Sequence, residues 1–148
     1  MKKVMFGLIM FVLAVCANAN DTYKDGTQCN CDTILRMYSE SGDLLWETPY
    51  KNDKKNGIEK EYYESGALMS EMPFENGKRD GIEKGYYESG ALWGEIPYKN
   101  GKENGIEKGY YESGEIASTA TYRNGILQGY KHCSDGRIGN DDLDCSVQ

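Results

Sequence analysis

The sequence predicts an all-β protein, an antiparallel β-meander of hairpins built from about four copies of a 24-residue repeat. Two observations lead to this fold class. Ser-Gly steps recur every 24 residues, at Gly42, Gly66, Gly90 and Gly114. Between such turns, apolar and polar residues alternate with the period of 2 that is typical of half-buried strands. A helical repeat is excluded because Gly and Pro recur inside every candidate helix.

Residues 1–19 have the pattern of a secretory signal peptide. Two lysines precede the apolar run Val4–Val15, and Ala17-Asn18-Ala19 is a small-x-small cleavage site. The apolar run is shorter than the roughly 20 residues that a membrane-spanning helix needs. We therefore expect cleavage after Ala19 and an exported chain, periplasmic or secreted. The alternative is a lipoprotein anchored at Cys16, because the residues before it partly resemble a bacterial lipobox.

The next segment, residues 20–35, is a lead-in that carries the first pair of cysteines. Export favours disulfides among the four cysteines that remain, Cys29, Cys31, Cys133 and Cys145. The repeat separates the two pairs to opposite ends of an elongated body, so local bridges are favoured. The sequence predicts a Cys133–Cys145 bridge, with Cys29–Cys31 as the second local pairing. Metal binding with the single His132 is the alternative, but the spacing does not match a zinc site, and we predict no cofactor or metal.

The repeat array is predicted over residues 36–131, as about nine or ten short strands. Asn-Gly pairs such as Asn76-Gly77 are strong hairpin signals because they tolerate positive φ. Residues 67–74 are one example of a predicted strand, with Leu68 and every second residue after it on one face. A proline recurs in this strand of the repeat and indicates a bulge or an unpaired position. The equivalent rows predicted to stack are Leu44, Leu68, Leu92 and Ile116; Thr48, Met72, Ile96 and Ala120; Tyr50, Phe74, Tyr98 and Tyr122; and, on the partner segments, Ile58, Ile82 and Ile106.

Each Tyr-Tyr-Glu-Ser-Gly segment supplies two tyrosines that alternation places on opposite faces. The first of each pair, in Tyr62, Tyr86 and Tyr110, is predicted to lie in the core. The second is predicted to face solvent and to be free to bind. Three glutamates recur at the repeat spacing and are expected on a solvated face, with Lys60, Lys84 and Lys108 offsetting their charge. The candidate partner-binding face therefore comprises Tyr63, Tyr87, Tyr111, Glu59, Glu83 and Glu107.

The remaining segment, residues 132–148, is predicted to be a C-terminal cap. The chain has 17 basic and 24 acidic residues, a net charge of −7. This charge argues against nucleic-acid binding, which needs a basic surface. No catalytic set of residues is recognisable, so we expect a non-enzymatic protein. An acidic chain of this kind is expected to bind a basic protein partner, such as a toxin or an envelope protein. A membrane contact is expected only if Cys16 is lipidated, and the oligomeric state stays open.

The Tyr-Tyr-Glu-Ser-Gly motif, followed by an Asn-Gly-Lys-x-x-Gly turn as in 100–105, resembles the MORN repeat in its bacterial variant form. Chains of this kind resemble the family of YwqK-type antitoxins of toxin–antitoxin systems. The resemblance implies an antiparallel β-meander that serves as a protein-interaction surface, with an antitoxin or immunity role as its sharper form. Some MORN proteins are also credited with phospholipid contact. The alternative function is a structural or lipid-anchored envelope protein, and an enzyme is the least favoured.

Overall fold

The protein folds as one antiparallel sheet of fifteen strands in a computed structural model that describes residues 15–16, 32–140 and 145. This part of the chain contains no helix, so no membrane-spanning helix is found in it. The all-β prediction is confirmed. The strands are β1 (Val15–Cys16), β2 (Thr33–Tyr38), β3 (Leu44–Lys51), β4 (Lys54–Lys55), β5 (Gly57–Tyr62), β6 (Leu68–Glu75), β7 (Lys78–Arg79), β8 (Gly81–Tyr86), β9 (Leu92–Lys99), β10 (Lys102–Glu103), β11 (Gly105–Tyr110), β12 (Ile116–Arg123), β13 (Ile126–Leu127), β14 (Lys131–Cys133) and β15 (Ile138–Gly139).

The main path of the sheet follows the chain, in the order β1-β2-β3-β5-β6-β8-β9-β11-β12-β14-β15. The four remaining strands, each of two residues, pair with the far ends of the eight-residue strands. Because each strand of the main path pairs with the next strand of that path, the meander can be extended or shortened by whole repeats without any crossover.

The second arm of each hairpin is broken, which the sequence analysis did not foresee. In the central repeat, the Asn76-Gly77 turn has positive φ at both residues and leads into β7. The chain then leaves the ladder at Asp80, whose N–H donates to the carbonyl of Pro73 at 3.1 Å. Gly81, with a φ of +123°, restarts the strand as β8. This break explains why fifteen strands form where nine or ten were expected.

A β-bulge in each hairpin lies beside the first tyrosine and not at the proline. The register shifts between Gly85 and Tyr86, and at the equivalent step of the other three hairpins. Pro73 instead lies directly opposite Ile58 in the register of β5 and β6. The bulge that was expected at the proline is therefore wrong. The proline carbonyl accepts the hydrogen bond at the break, and this arrangement recurs at Pro49 and Pro97.

The sheet has two different faces, which alternation along the strands separates. One face, here called the packed face, carries the most buried residues of the strands: Thr48, Glu59, Ser70, Met72, Ser118, Ala120 and Tyr122. The other face, here called the ladder face, carries a row of alternating charges across the sheet: Arg36, Glu47, Lys60, Glu71, Lys84, Glu95 and Lys108.

Burial of the predicted rows is uneven because a single sheet has no second layer to cover it. Met72, Ala120 and Tyr122 are buried as expected. Ile58, by contrast, is 50% exposed on the ladder face, and its equivalents Ile82 and Ile106 are 53% and 56% exposed. The expected aliphatic row of the partner segments is therefore wrong, because alternation places it opposite the packed face.

At the C-terminal end, β14 pairs with β12 and β15 pairs with β14. Cys133 and Cys145 are bonded in the structure, with their Cα atoms 5.4 Å apart. This bond holds Cys145 against the sheet, and both cysteines are buried. Cys29 and Cys31 lie outside the described residues, and the pairing predicted for them stays a prediction.

Candidate interaction surface

The three glutamates of the predicted partner-binding face lie on the packed face. Glu59 is only 2% exposed. Its carboxylate accepts a hydrogen bond from Thr48 Oγ1 at 2.6 Å and forms an ion pair with Lys55. The expectation that Glu59 is solvated is therefore wrong, because the hydroxyl of the preceding long strand and the amine of the preceding short strand replace its water.

The cations that neutralise this row come from unexpected positions. Arg79 Nη1 lies 3.1 Å from Glu83 Oε2, and Lys131 Nζ lies 3.9 Å from Glu107 Oε1. In the first two repeats the cation stands four residues before its glutamate, on the two-residue strand. The lysines that were expected to offset the row, such as Lys60, belong to the ladder face, because adjacent residues of a strand point to opposite sides.

Burial raises the pKa of the Glu83 carboxyl above its ordinary value, and the neighbouring Arg79 only partly opposes that rise. The buried oxygen Oε2 of Glu83 receives no hydrogen bond of normal geometry, although the guanidinium lies close to it. Desolvation therefore outweighs the ion pair at this position.

Aromatic rings flank the first two cations of the row. Lys55 Nζ lies 4.8 Å from the ring centre of Phe74, and the Arg79 guanidinium lies 5.1 Å from that of Tyr98. Such contacts are attractive because the ring face is electron-rich. In the third repeat the equivalent position is Glu103, so the cation–ring pattern stops there. These cations were not predicted from the sequence, although each stands four residues before its glutamate.

The second tyrosine of each pair connects one repeat to the next. Tyr63 donates its hydroxyl proton to the carbonyl of Tyr86 at 2.7 Å, and Tyr87 donates to the carbonyl of Tyr110 at 2.8 Å. Tyr111 reaches the C-terminal cap instead, where its hydroxyl lies 3.0 Å from Ser134 Oγ. All three tyrosines are half-buried. Their hydroxyl groups are therefore not free to bind as expected, because they are hydrogen-bonded within the array.

The first tyrosine of each pair lies on the ladder face rather than in a core. The Tyr62 hydroxyl donates to Glu47 at 3.1 Å, and Tyr86 and Tyr110 make the same bond to the glutamate of the preceding long strand. Burial, followed by this contact with a carboxylate, raises the pKa of all three hydroxyls. The opposite charges along this face stabilise the register of the strands, since directly opposed ion pairs are favourable and like pairs are not.

The exposed charges are divided between the two ends of the strands. Exposed carboxylates occupy the Ser-Gly turns and form what we call the acidic edge: Glu40, Glu64, Glu88 and Glu112. Exposed lysines occupy the short strands beside the Asn-Gly turns and form the basic edge: Lys54, Lys78 and Lys102. The net negative charge of the chain is thus presented along one edge at repeat spacing.

Three of the six residues predicted for the partner-binding face meet at one cleft on the packed face. Tyr87, Glu107 and Tyr111 line it together with Trp93 and a floor of small residues that includes Gly94. Its volume is about 240 Å³. Tyr63, Glu59 and Glu83 are not part of it. Because Tyr87 and Tyr111 directly precede glutamates of the acidic edge, the cleft opens beside that edge.

The described residues offer little else that could bind a metal ion or act as a nucleophile. No cluster of three or more metal-ligating side chains occurs in the part of the chain that the structure describes. His132 is exposed on β14, and the neighbouring Cys133 is disulfide-bonded. The structure contains the Cys133–Cys145 bond; that the mature protein forms this bridge, and that it has no catalytic activity, stay predictions.

Comparison with known families supports the repeat. The model of the MORN repeat variant matches three segments, residues 55–76, 79–100 and 103–124. Each segment begins at a short strand and ends at the next Asn-Gly turn, so it contains one glutamate of the row Glu59, Glu83 and Glu107. The β2–β3 hairpin, which precedes the matched segments, has the same bulge and makes a fourth structural copy. No curated protein matches the chain significantly.

Proposed function

Starting from the three MORN repeat variants, we propose that this chain is an exported, non-enzymatic protein-interaction module whose acidic edge binds a basic protein partner. One observation carries the proposal: the exposed carboxylates of the Ser-Gly turns recur at repeat spacing along one edge, beside a cleft that aromatic residues line. Complementary charge of this kind speeds association and selects the partner.

The faces of the sheet support the choice of the edge. On the packed face Glu59, Glu83 and Glu107 each have their own cation, and the ladder face alternates in sign, so neither face presents a uniform field. Among the described residues, the exposed carboxylates of the Ser-Gly turns present charges of one sign in a row, whereas the opposite end of the strands mixes exposed lysines with the exposed Asp53 and Glu75. A basic surface is therefore attracted to the acidic edge and repelled by the basic edge.

The experiment is capture of partners by the immobilised protein from the envelope fraction of its native organism, at about 50 mM and about 500 mM salt. The informative variant replaces Glu64, Glu88 and Glu112 with glutamine. Its matched control replaces the lysines of the basic edge with glutamine. We expect one stoichiometric partner that is lost at high salt, because screening shortens the reach of exposed charges. It should also be lost with the glutamate variant and kept with the lysine control. Equal capture by both variants would contradict the proposal.

The partner class that the resemblance to YwqK-type antitoxins favours is a toxin, which would make the chain an immunity protein of the cell envelope. Co-expression with the captured partner tests this role. Growth rescue by the wild-type chain, and no rescue by the glutamate variant, is the expected result. A partner that is harmless when expressed alone would exclude the role and leave the interaction module standing.

Export rests on the pattern of residues 1–19, and its alternative is a structural envelope protein anchored through a lipid on Cys16. Mass spectrometry of the mature chain separates the two. A soluble chain that begins at Asn20 supports the exported module. A chain that begins at Cys16 with added acyl mass supports the anchored protein, and Cys16→Ser is then the matched control for release from the membrane.

A further inference from the structure

A strip of very small residues runs along the packed face beside the tyrosine turns. Ser70, Gly85, Gly94, Gly109 and Ser118 occupy adjacent strands in it, and Glu61 ends it on the N-terminal side. None of these three glycines has a positive φ. Their lack of a side chain is therefore explained by the space above them and not by the backbone.

The structure shows what fills that space above Gly85. A Cβ atom built on this residue would lie 2.2 to 2.4 Å from three atoms of the Trp93 indole. The indole therefore lies directly on the glycine backbone, at the bulge of the β8–β9 hairpin. Trp93 is 43% exposed, so one side of the ring is covered by the sheet and the other is accessible.

One repeat later the same geometry lacks its ring. Gly109 takes the place of Gly85, and Ala117 takes the place of Trp93. The atom above Gly109 is the small Ser118 Oγ, which would lie 2.6 Å from a Cβ atom built on that glycine. The cleft of about 240 Å³ lies here, next to Gly94 and Gly109. A dry protein cavity of about 150 Å³ already holds benzene, while pockets for drug-sized ligands are usually larger, about 300–1,000 Å³. The cleft therefore matches one substituted aromatic ring.

The walls of the cleft have the chemistry that such a ring needs. Trp93, Tyr87 and Tyr111 offer aromatic surface, which favours offset or edge-to-face contacts with another ring. Glu107 and its partner Lys131 stand at the end away from the turns and leave room for a polar substituent. Glu88 and Glu112 of the acidic edge directly follow Tyr87 and Tyr111 in the chain, so a ring that is flanked by basic residues is favoured.

We propose that this cleft binds one tryptophan or tyrosine side chain that a basic segment of the protein partner presents. The inference rests on the proposed interaction function and names the anchor of that interaction. Buried aromatic side chains are the usual anchors of protein interfaces. The Trp93–Gly85 contact shows that this sheet seats an aromatic ring on a glycine; in the cleft the partner's ring lies above Gly94, because the Ser118 hydroxyl occupies the space above Gly109.

The test is an NMR titration of the full-length protein with N-acetyltryptophanamide, compared with N-acetylleucinamide. We expect saturable shifts of the Gly94 and Gly109 amides, with a dissociation constant of about 1–10 mM, as is usual for one side chain without its protein. The leucine compound should give at most a tenth of the effect. Equal shifts with both compounds, or no shift at these glycines, would overturn the inference.

Two variants of one residue make the test specific. Gly94→Leu places a side chain in the cleft and should abolish the titration. Gly94→Ala is the control, because its Cβ would meet only the Lys108 carbonyl oxygen at an ordinary 3.6 Å. A melting temperature for each variant confirms that it is folded. If Gly94→Leu does not fold, Trp93→Ala replaces it, and unchanged binding by either variant refutes the site.

The outcomes separate this inference from the proposed function. Partner capture that depends on the acidic edge, together with no response to N-acetyltryptophanamide, refutes the cleft and leaves the interaction module intact. A specific response at the glycines without any captured partner supports the cleft and counts against the acidic-edge proposal.

Discussion

Replacing Gly105 with alanine should destabilise the array more than the same change at any Ser-Gly turn. Gly105 has a φ of +136°, and a Cβ atom there would lie 2.7 Å from Pro97 Cγ. The contact is with a ring on the preceding strand, which cannot swing aside as a flexible side chain can. Gly114 is the matched control: its φ is +87° and nothing lies within 4 Å of its Cβ position.

The expected cost combines two effects. Backbone conformations that favour glycine cost other residues about 1–3 kcal/mol, and forcing extra atoms into a filled space costs about 1–3 kcal/mol more. Gly105→Ala should therefore lower the free energy of unfolding by about 2–6 kcal/mol. Gly114→Ala has only the backbone effect, about 1–2 kcal/mol. At about 4 °C for each kcal/mol in a chain of this length, the two melting temperatures should differ by several degrees.

Thermal and urea unfolding followed by circular dichroism measure both costs. A double-mutant cycle with Pro97→Ala isolates the steric contact, because removing the proline ring should restore about 1–3 kcal/mol to Gly105→Ala. The reasoning fails if Gly105→Ala costs no more than Gly114→Ala, or if Pro97→Ala gives no rescue.

Three further predictions concern the hydrogen bonds, charges and disulfide of the array. Tyr87→Phe should lower the free energy of unfolding by about 1 kcal/mol, since a backbone carbonyl loses its donor; exposed Tyr130→Phe is the control, and an equal effect at both sites would refute the repeat-to-repeat bond. Glu83→Gln should raise the melting temperature at pH 7, because the folded state raises the pKa of this carboxyl and so disfavours its charged form. The gain should shrink as the pH falls through the raised pKa and vanish below the ordinary value of 4.5; a gain that is independent of pH would contradict this cause. Cys133→Ser should cost about 3 kcal/mol, the loop-closure value for the 12-residue separation from Cys145, and no change relative to the wild-type chain under oxidising conditions would exclude the bridge.

The turns were predictable because they depend on local chemistry. Asn76-Gly77 adopts the positive φ values that its residue types favour, and each Ser-Gly step is a turn. The row of Thr48, Met72 and Ala120 followed from alternation in the same way. Local patterns of this kind repeat in every unit, so each copy confirms the reading of the others.

The faces of the partner strands were not predictable from residue type. Ile58 suggests a core position and Glu59 a solvated one, yet the structure exposes the isoleucine and buries the glutamate. The register of the neighbouring strand decides this, because it brings Thr48 and Lys55 to the carboxylate. The only sequence signal was the basic residue four positions earlier. The cleft was also missed, since it depends on the difference between Trp93 and Ala117 rather than on the repeat itself.

The difference between repeats at Trp93 and Ala117 affects which strands pair with each other during folding. Strands β8 and β11 have the same sequence, Gly-Ile-Glu-Lys-Gly-Tyr. Strand β5 differs from them at one position, Glu61 in place of the glycine, and a pairing of β5 with β9, one whole repeat out of frame, would still place Lys60 opposite Glu95. In such a frame-shifted pairing, Trp93 would meet Glu61 and would lose the glycine on which it lies. The contact between Trp93 and Gly85 thus favours the correct pairing of β8 with β9 over a pairing that is shifted by one repeat. A chain with the same residue at the position of Gly85 in every repeat would have no contact there that distinguishes the correct pairing from a shifted one.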